Sequence, residues 1–206
     1  TEDNPDTNYG DAADAHLQYY TQDRQVHRFD ISSIPAGATI NSALVRFYAY
    51  DVTDGTPTVD AYRLIQAWVE SQVTYNSAFT GTSWSLAGLE AGVDYEAASS
   101  GTSATVSAAG WVEIDITALV TAWHEGLYDN EGLLLKLSSA GHLRTYMSEY
   151  GTSSLRPELV VNYVPVPGIT GEFYGNFETG GVIADLPAGY GAVSYTHLTL
   201  PTKRIV

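Results

Sequence analysis

The sequence predicts an all-β chain, and three observations carry that prediction. Apolar and polar side chains alternate in several short segments, clearest in Ala43-Leu44-Val45-Arg46-Phe47-Tyr48-Ala49-Tyr50 and in Trp111-Val112-Glu113-Ile114-Asp115-Ile116. Glycine (19) and tyrosine (15) are frequent while Lys and Arg together number 9, a composition of strands and turns. Only one stretch keeps a helical period: Ile116, Leu119, Val120 and Trp123 fall at i, i+3, i+4 and i+7.

Each element follows from the same reasoning. His16–Tyr20 and Gln25–Phe29 bracket a polar Thr21-Gln22-Asp23-Arg24 and predict a hairpin. Arg28 to Ile40 reads as a strand end and a tight connection through Pro35 and Gly37, leading into the strand 43–50 with Val45, Phe47 and Ala49 on its core face. Thr58–Ile65 is a strand of mixed polarity whose buried side the pattern leaves open. Trp68 reads as a plug at one end of the fold. From Ser77 to Ala109 the sequence is small, polar and weakly patterned, which predicts extended loops with one or two short strands; Trp84 within it is either partly buried or an exposed sugar platform. Residues 110–116 form a strand that runs into a short helix, with Asp115 or Thr117 to start it and Gly126 to end it. Leu133, Leu135 and Leu137 face the core of the next strand with Lys136 opposite. Ser139–Leu155 reads as a loop, and Leu159, Val161 and Tyr163 share the inner face of the last strand before Pro165 and Pro167.

Composition excludes several functions. A formal net charge of −15 argues against nucleic acid and against an anionic membrane surface, because both need a basic footprint. No apolar run approaches the roughly 20 residues of a membrane span, so no membrane insertion is expected. With no cysteine, disulfides and thiolate metal sites are out of reach. Catalysis finds no support either: there is no Gly-x-Ser-x-Gly, phosphate loop or histidine cluster, and among 24 acidic residues paired carboxylates arise by chance. No catalytic residue is assigned. The opening loop Thr1–Asp11 is turn-rich and acidic. A solvated loop and a structural calcium site both fit it, since Asp3, Asp6, Asn8 and Asp11 offer the hard oxygen ligands calcium prefers, and Glu149 would join them if the chain ends approach.

Five blocks in order resemble the DNRLRE domain: Arg28–Ile40, then Trp68-Val69-Glu70 with Val73-Thr74-Tyr75-Asn76, then Ile114-Asp115-Ile116-Thr117 with Trp123, then Gly132-Leu133-Leu134-Leu135-Lys136, and Arg156–Tyr163. The resemblance covers residues 1–164. It implies a jelly-roll β-sandwich of two antiparallel sheets with one or two short helices, used as a repeated module in secreted or cell-surface prokaryotic proteins, with related members serving as carbohydrate-binding modules for polysaccharides that include alginate-like ones. The family's opening strand is missing here, which leaves a sheet edge open, and Tyr75 stands where Trp is commoner. Residues 165–192 are expected to be a linker or the start of a further module, and 193–206 resemble the in-frame translation of a sequencing adapter and are read as an artefact. The chain opens at Thr1 with neither Met nor signal peptide, so a fragment is expected whose export signal lies upstream.

The function expected is non-catalytic polysaccharide binding, with acidic glycans as one class. Two other roles compete with it: a structural spacer in a surface or adhesin-like array stacked on neighbouring modules of the same chain, and an accessory domain of a polysaccharide lyase or hydrolase whose catalytic part is missing. If strands 25–31, 43–50 and 132–138 are neighbours, Arg28, Arg46, Tyr48 and Lys136 share one outer face, where cations meet uronate carboxylates and Tyr48 stacks on a pyranose. The competing expectation is that these groups pair with acids beneath a covering loop.

Overall fold

The computed structural model describes residues 1–165 and, as strand backbone, 196–200 and 202–205. The linker or further module expected over 165–192 lies, from residue 166 on, outside the described residues. In chain order the elements are β1 (Asp14–Gln18), β2 (Gln25–Phe29), β3 (Thr39–Thr53), β4 (Val59–Arg63), β5 (Ser77–Phe79), β6 (Thr82–Ser83), β7 (Gly101–Thr102), β8 (Gly110–Asp115), α1 (Thr117–His124), β9 (Leu133–Leu137), β10 (His142–Tyr146), β11 (Glu158–Val164), β12 (Thr196–Leu200) and β13 (Thr202–Ile205).

They form the expected antiparallel sandwich with a single short helix. In sheet A the connected order is β1-β10-β3-β11-β12, β10 and β11 pairing with successive stretches of one edge of β3 and β8 with its opposite edge; sheet B runs β13-β2-β9-β4-β7; β5 and β6 make a small separate hairpin. The alternation read from the sequence sets the inward faces. Sheet A sends Val45, Phe47, Ile114, Leu143, Leu159 and Val161 into the space between the sheets, and sheet B sends Phe29, Val59, Ala61, Leu133, Leu135 and Leu137. Leu119, Val120 and Trp123 of α1 join the same core.

The helix ends are satisfied locally. Asp115 Oδ1 accepts the Thr117 backbone N–H at 2.9 Å and its hydroxyl at 2.6 Å, taking up one orphan donor of the first turn, and those bonds hold the Asp115 carboxyl below its usual pKa. Thr117 Oγ1 accepts the Ala43 N–H at 2.9 Å, which ties the helix to β3. At the other end Gly126 has φ +71°, its N–H donates to Trp123 O, and Leu127 N–H donates to Ala122 O. This is the two-bond glycine termination that a left-handed C′ residue permits.

Two expectations are corrected. The proposed hairpin of β1 and β2 is not one: β1 pairs with β10 in sheet A and β2 with β9 in sheet B, joined to each other by the isolated bridge Gln18↔Asp23. Leu17 and Phe29 both reach the inter-sheet core, so the chain crosses the edge of the sandwich instead of doubling back within one sheet. The loop expected over 139–155 contains β10, whose Leu143 and Thr145 are buried while His142, Arg144 and Tyr146 face out.

Sheet B is buried on both faces. Val26, Tyr62, Leu64 and Leu134 on its outer side pack with Trp68, Val73, Ala78, Trp84 and Tyr95 into a second core. The segment 65–100 lies over that face. Asp94 organises the cover: its carboxylate accepts the Ser85 N–H, the Ser85 hydroxyl at 2.8 Å and the Glu90 N–H at 2.8 Å. The mixed polarity of Thr58–Ile65 is thereby explained, since Val59 and Ala61 fill the main core while Tyr62 and Leu64 fill the second. Trp84 is 4% exposed and donates its indole N–H to Thr74 O at 3.0 Å, so it is no exposed sugar platform.

Candidate functional site on the open face of sheet A

The four residues expected to share a face are divided between the two sheets. Arg28 on β2 and Lys136 on β9 stand on the outer side of sheet B, at the covering segment. Arg28 pairs with Glu131 at 3.3 Å and lies 5.1 Å from the Trp68 ring centroid. Lys136 Nζ donates to Tyr95 Oη at 3.1 Å and lies 4.6 Å from the Tyr62 ring centroid. Both cations are thus engaged in holding the cover down. Arg46 and Tyr48 stand on the outer side of sheet A, because β3 belongs to the other sheet from β2 and β9. Period two assigns a residue to a face of its own strand and says nothing about which sheet the strand joins.

On sheet A the outward positions of β3, β8 and β10 bring an aromatic cluster together. Cross-strand register sets Tyr48 opposite Trp111, and their rings meet edge to face at 5.6 Å. Tyr146 stacks on Tyr50 at 4.6 Å and on Tyr150 at 3.6 Å, and lies near-parallel to Tyr48 at 5.8 Å. The Arg46 guanidinium sits 4.0 Å over Trp111 while pairing with Glu158 at 2.9 Å and Glu113 at 3.8 Å. Arg144 faces Asp51 at 3.8 Å and is 47% exposed along its side chain. The Tyr50 hydroxyl donates to Asp14 Oδ2 at 2.5 Å; burial and then that bond push its pKa up to about 12. All five rings are half-buried, and none of them lies beneath segment 65–100. Rings that stack on one another spend much of their faces internally, so the surface offers ring edges, phenol hydroxyls and two guanidiniums, which are hydrogen-bonding groups suited to a hydroxyl-rich chain.

A family model for carbohydrate-binding module family 96 matches residues 1–163. The chain belongs to that family. No curated protein and no solved structure matches it. The expected carbohydrate-binding character is therefore shown, under the name of family 96 and not of DNRLRE. Modules of such a family are normally non-catalytic.

In this family 96 domain the metal expectation gains no geometry. Asp3, Asp6 and Asp11 are exposed, as is Glu149, and Asp6 accepts a bond from Asn76 Nδ2 at 2.8 Å. Asn8 serves otherwise: its Nδ2 donates to Glu70 O and Val73 O, each at 2.7 Å, and its Oδ1 accepts the Gly10 N–H. Among the described residues no group of three or more His, Asp or Glu side chains is placed to hold a metal ion. The sequence reading missed Trp111, Tyr146, Tyr150 and Arg144 as site residues. A signal existed for Trp111, since Val112 and Ile114 pointing inward send Trp111 and Glu113 outward; for Tyr146 and Arg144 it was hidden in a segment read as loop.

Proposed function

We propose that this domain holds a polysaccharide, without catalysis, against the outer face of sheet A, as part of a secreted or cell-surface protein. The observation that carries the reading is that one sheet face is sealed by segment 65–100 while the other gathers Tyr48, Tyr50, Trp111, Tyr146 and Tyr150 between two arginines. An acidic glycan fits that face through Arg144, whose contact with Asp51 is long and exposed enough for a uronate carboxylate to compete. Arg46 is the weaker candidate because two glutamates already flank it.

That saturation of Arg46 favours a second reading, a structural spacer with no ligand of its own. Affinity gel electrophoresis separates the two. With alginate in the gel, the wild type is expected to be retarded, Tyr48→Ala to lose most of the retardation, and Arg144→Ala to lose it for alginate but not for a neutral gel polysaccharide. Equal mobility of wild type and Tyr48→Ala in every glycan gel removes sheet A as a binding face and leaves the spacer. The notion of an accessory domain beside a lyase or hydrolase concerns the parent chain, and the full-length gene tests it.

A further inference from the structure

Away from sheet A's aromatic cluster, the turn between β1 and β2 holds two rings out in solvent. Tyr20 is 71% exposed and Tyr19 44%, and the two meet edge to face at 5.4 Å. Neither belongs to a core. Adjacent exposed aromatics on a turn contribute nothing to packing and add to the risk of association.

The turn is built to stay in shape. Gln18 N–H donates to Asp23 O and Tyr19 N–H to Gly141 O, each at 3.2 Å. The Arg24 guanidinium donates to the carbonyls of Gly88 and Leu89 and to Gln22 Oε1 at 2.7 Å, stapling the turn to the cover of sheet B. Gln22 itself is held at φ +52°, a conformation that costs a side-chain-bearing residue about 1 kcal/mol or more. Beside the rings opens a pocket of about 410 Å³ lined by Gln18, Gln22, Asp23 and Lys136 as well as by the tyrosines. Asp23 is 5% exposed. Burial raises its pKa against the opposing pull of neighbouring positive charge, His16 included, and neither Asp23 Oδ1 nor Thr21 Oγ1 has a partner in hydrogen-bond geometry.

We propose that the turn 19–24 is a second saccharide subsite, in which Tyr20 and Tyr19 pack against a neutral pyranose while Gln18, Gln22 and Asp23 bond its hydroxyls. The inference rests on the polysaccharide reading of the domain but on a different place in it. A neutral sugar is favoured because the cations at the pocket already spend donors within the protein, Arg24 on backbone carbonyls and Lys136 on Tyr95, which leaves the side-chain amides of Gln18 and Gln22 to meet sugar hydroxyls.

The test titrates hexasaccharides of mixed-linkage β-glucan, β-mannan and xylan, with alginate hexasaccharide as the acidic control, into ¹⁵N-labelled protein. The expected result is saturable shifts of the Tyr20 and Gln22 amides with at least one neutral probe, and binding weakened roughly twofold to tenfold in Tyr20→Ala with an unchanged melting temperature. No saturable shift of the turn with any neutral probe, or unchanged affinity in Tyr20→Ala, overturns the proposal. Tyr48→Ala is run in parallel, so failure of the sheet A reading shows as undiminished alginate binding in that variant and is separate from the fate of the turn.

Discussion

Trp68 offers the sharpest test of the claim that sheet B is sealed. Its indole is 2% exposed within the second core, donates to Glu131 O at 2.6 Å, and carries Arg28 over its ring. Truncation to alanine removes most of an aromatic's buried area and opens a cavity beneath segment 65–100. Changes of this kind cost about 3–5 kcal/mol. In a domain of this size each kcal/mol moves the melting temperature by about 2–4 °C, so Trp68→Ala is expected to lower it by roughly 6–20 °C. Trp68→Phe keeps the ring but not the donor; leaving the Glu131 carbonyl unpartnered costs about 1–3 kcal/mol. Thermal and urea denaturation measure both variants, with glycan-gel mobility as the functional control, which Trp68→Phe should leave unaltered at temperatures where it is folded. A Trp68→Ala protein destabilised by less than about 1 kcal/mol would refute the reasoning, since the cover would then not be anchored by this side chain.

Other outcomes follow from single positions. Gly132→Ala should cost roughly 2 kcal/mol or more in denaturant titrations, because φ is +89° and an added Cβ would run into the His27 carbonyl of the neighbouring strand. Tyr50 ionises near 10 when unfolded and near 12 when folded, so the unfolded chain gives up its proton first; the stability this contributes is complete below pH 10 and is lost as pH rises to about 12. Tyr62, raised to about 12 by burial and by its bond to Asp60, acts in the same direction, so Tyr50→Phe should shrink the alkaline fall in stability without abolishing it. Asn8→Ala should cost about 2 kcal/mol from its two lost bonds to carbonyls, equally in EDTA and in calcium; a calcium-dependent difference in melting temperature would assign a metal role to the opening loop.

How much of this was legible depended on whether the physics was local. The inner faces of β3, β8, β9 and β11 and the helix over Thr117–His124 could be read from periodicity, because each element buries one stripe whatever its partner. What escaped was set by pairings distant in sequence. Arg28 and Arg46 alternate equally well, but β2 crosses to sheet B while β3 stays in sheet A. Leu134 sits opposite the inward leucines of β9 and reads as an exposed position until Trp68 and Tyr95 arrive from segment 65–100 to cover it. Tyr146 was lost for a different reason: in His142-Leu143-Arg144-Thr145-Tyr146 the inward Thr145 is polar, and its burial relies on a bond from Gln25 Nε2 on the opposite sheet.

β3 is the ruler for the rest of sheet A. Along one edge it is matched by β11 from Thr39 to Arg46 and by β10 from Ala49 to Thr53, and along the other by β8 from Leu44 to Ala49. A displacement of one residue would therefore turn the inward sets of three ladders toward water at once, along with the helix hung from Ala43. Misregistered packings of this chain are disfavoured in concert and not one at a time, which makes sheet A a single cooperative block and keeps the rings on its surface at fixed separations.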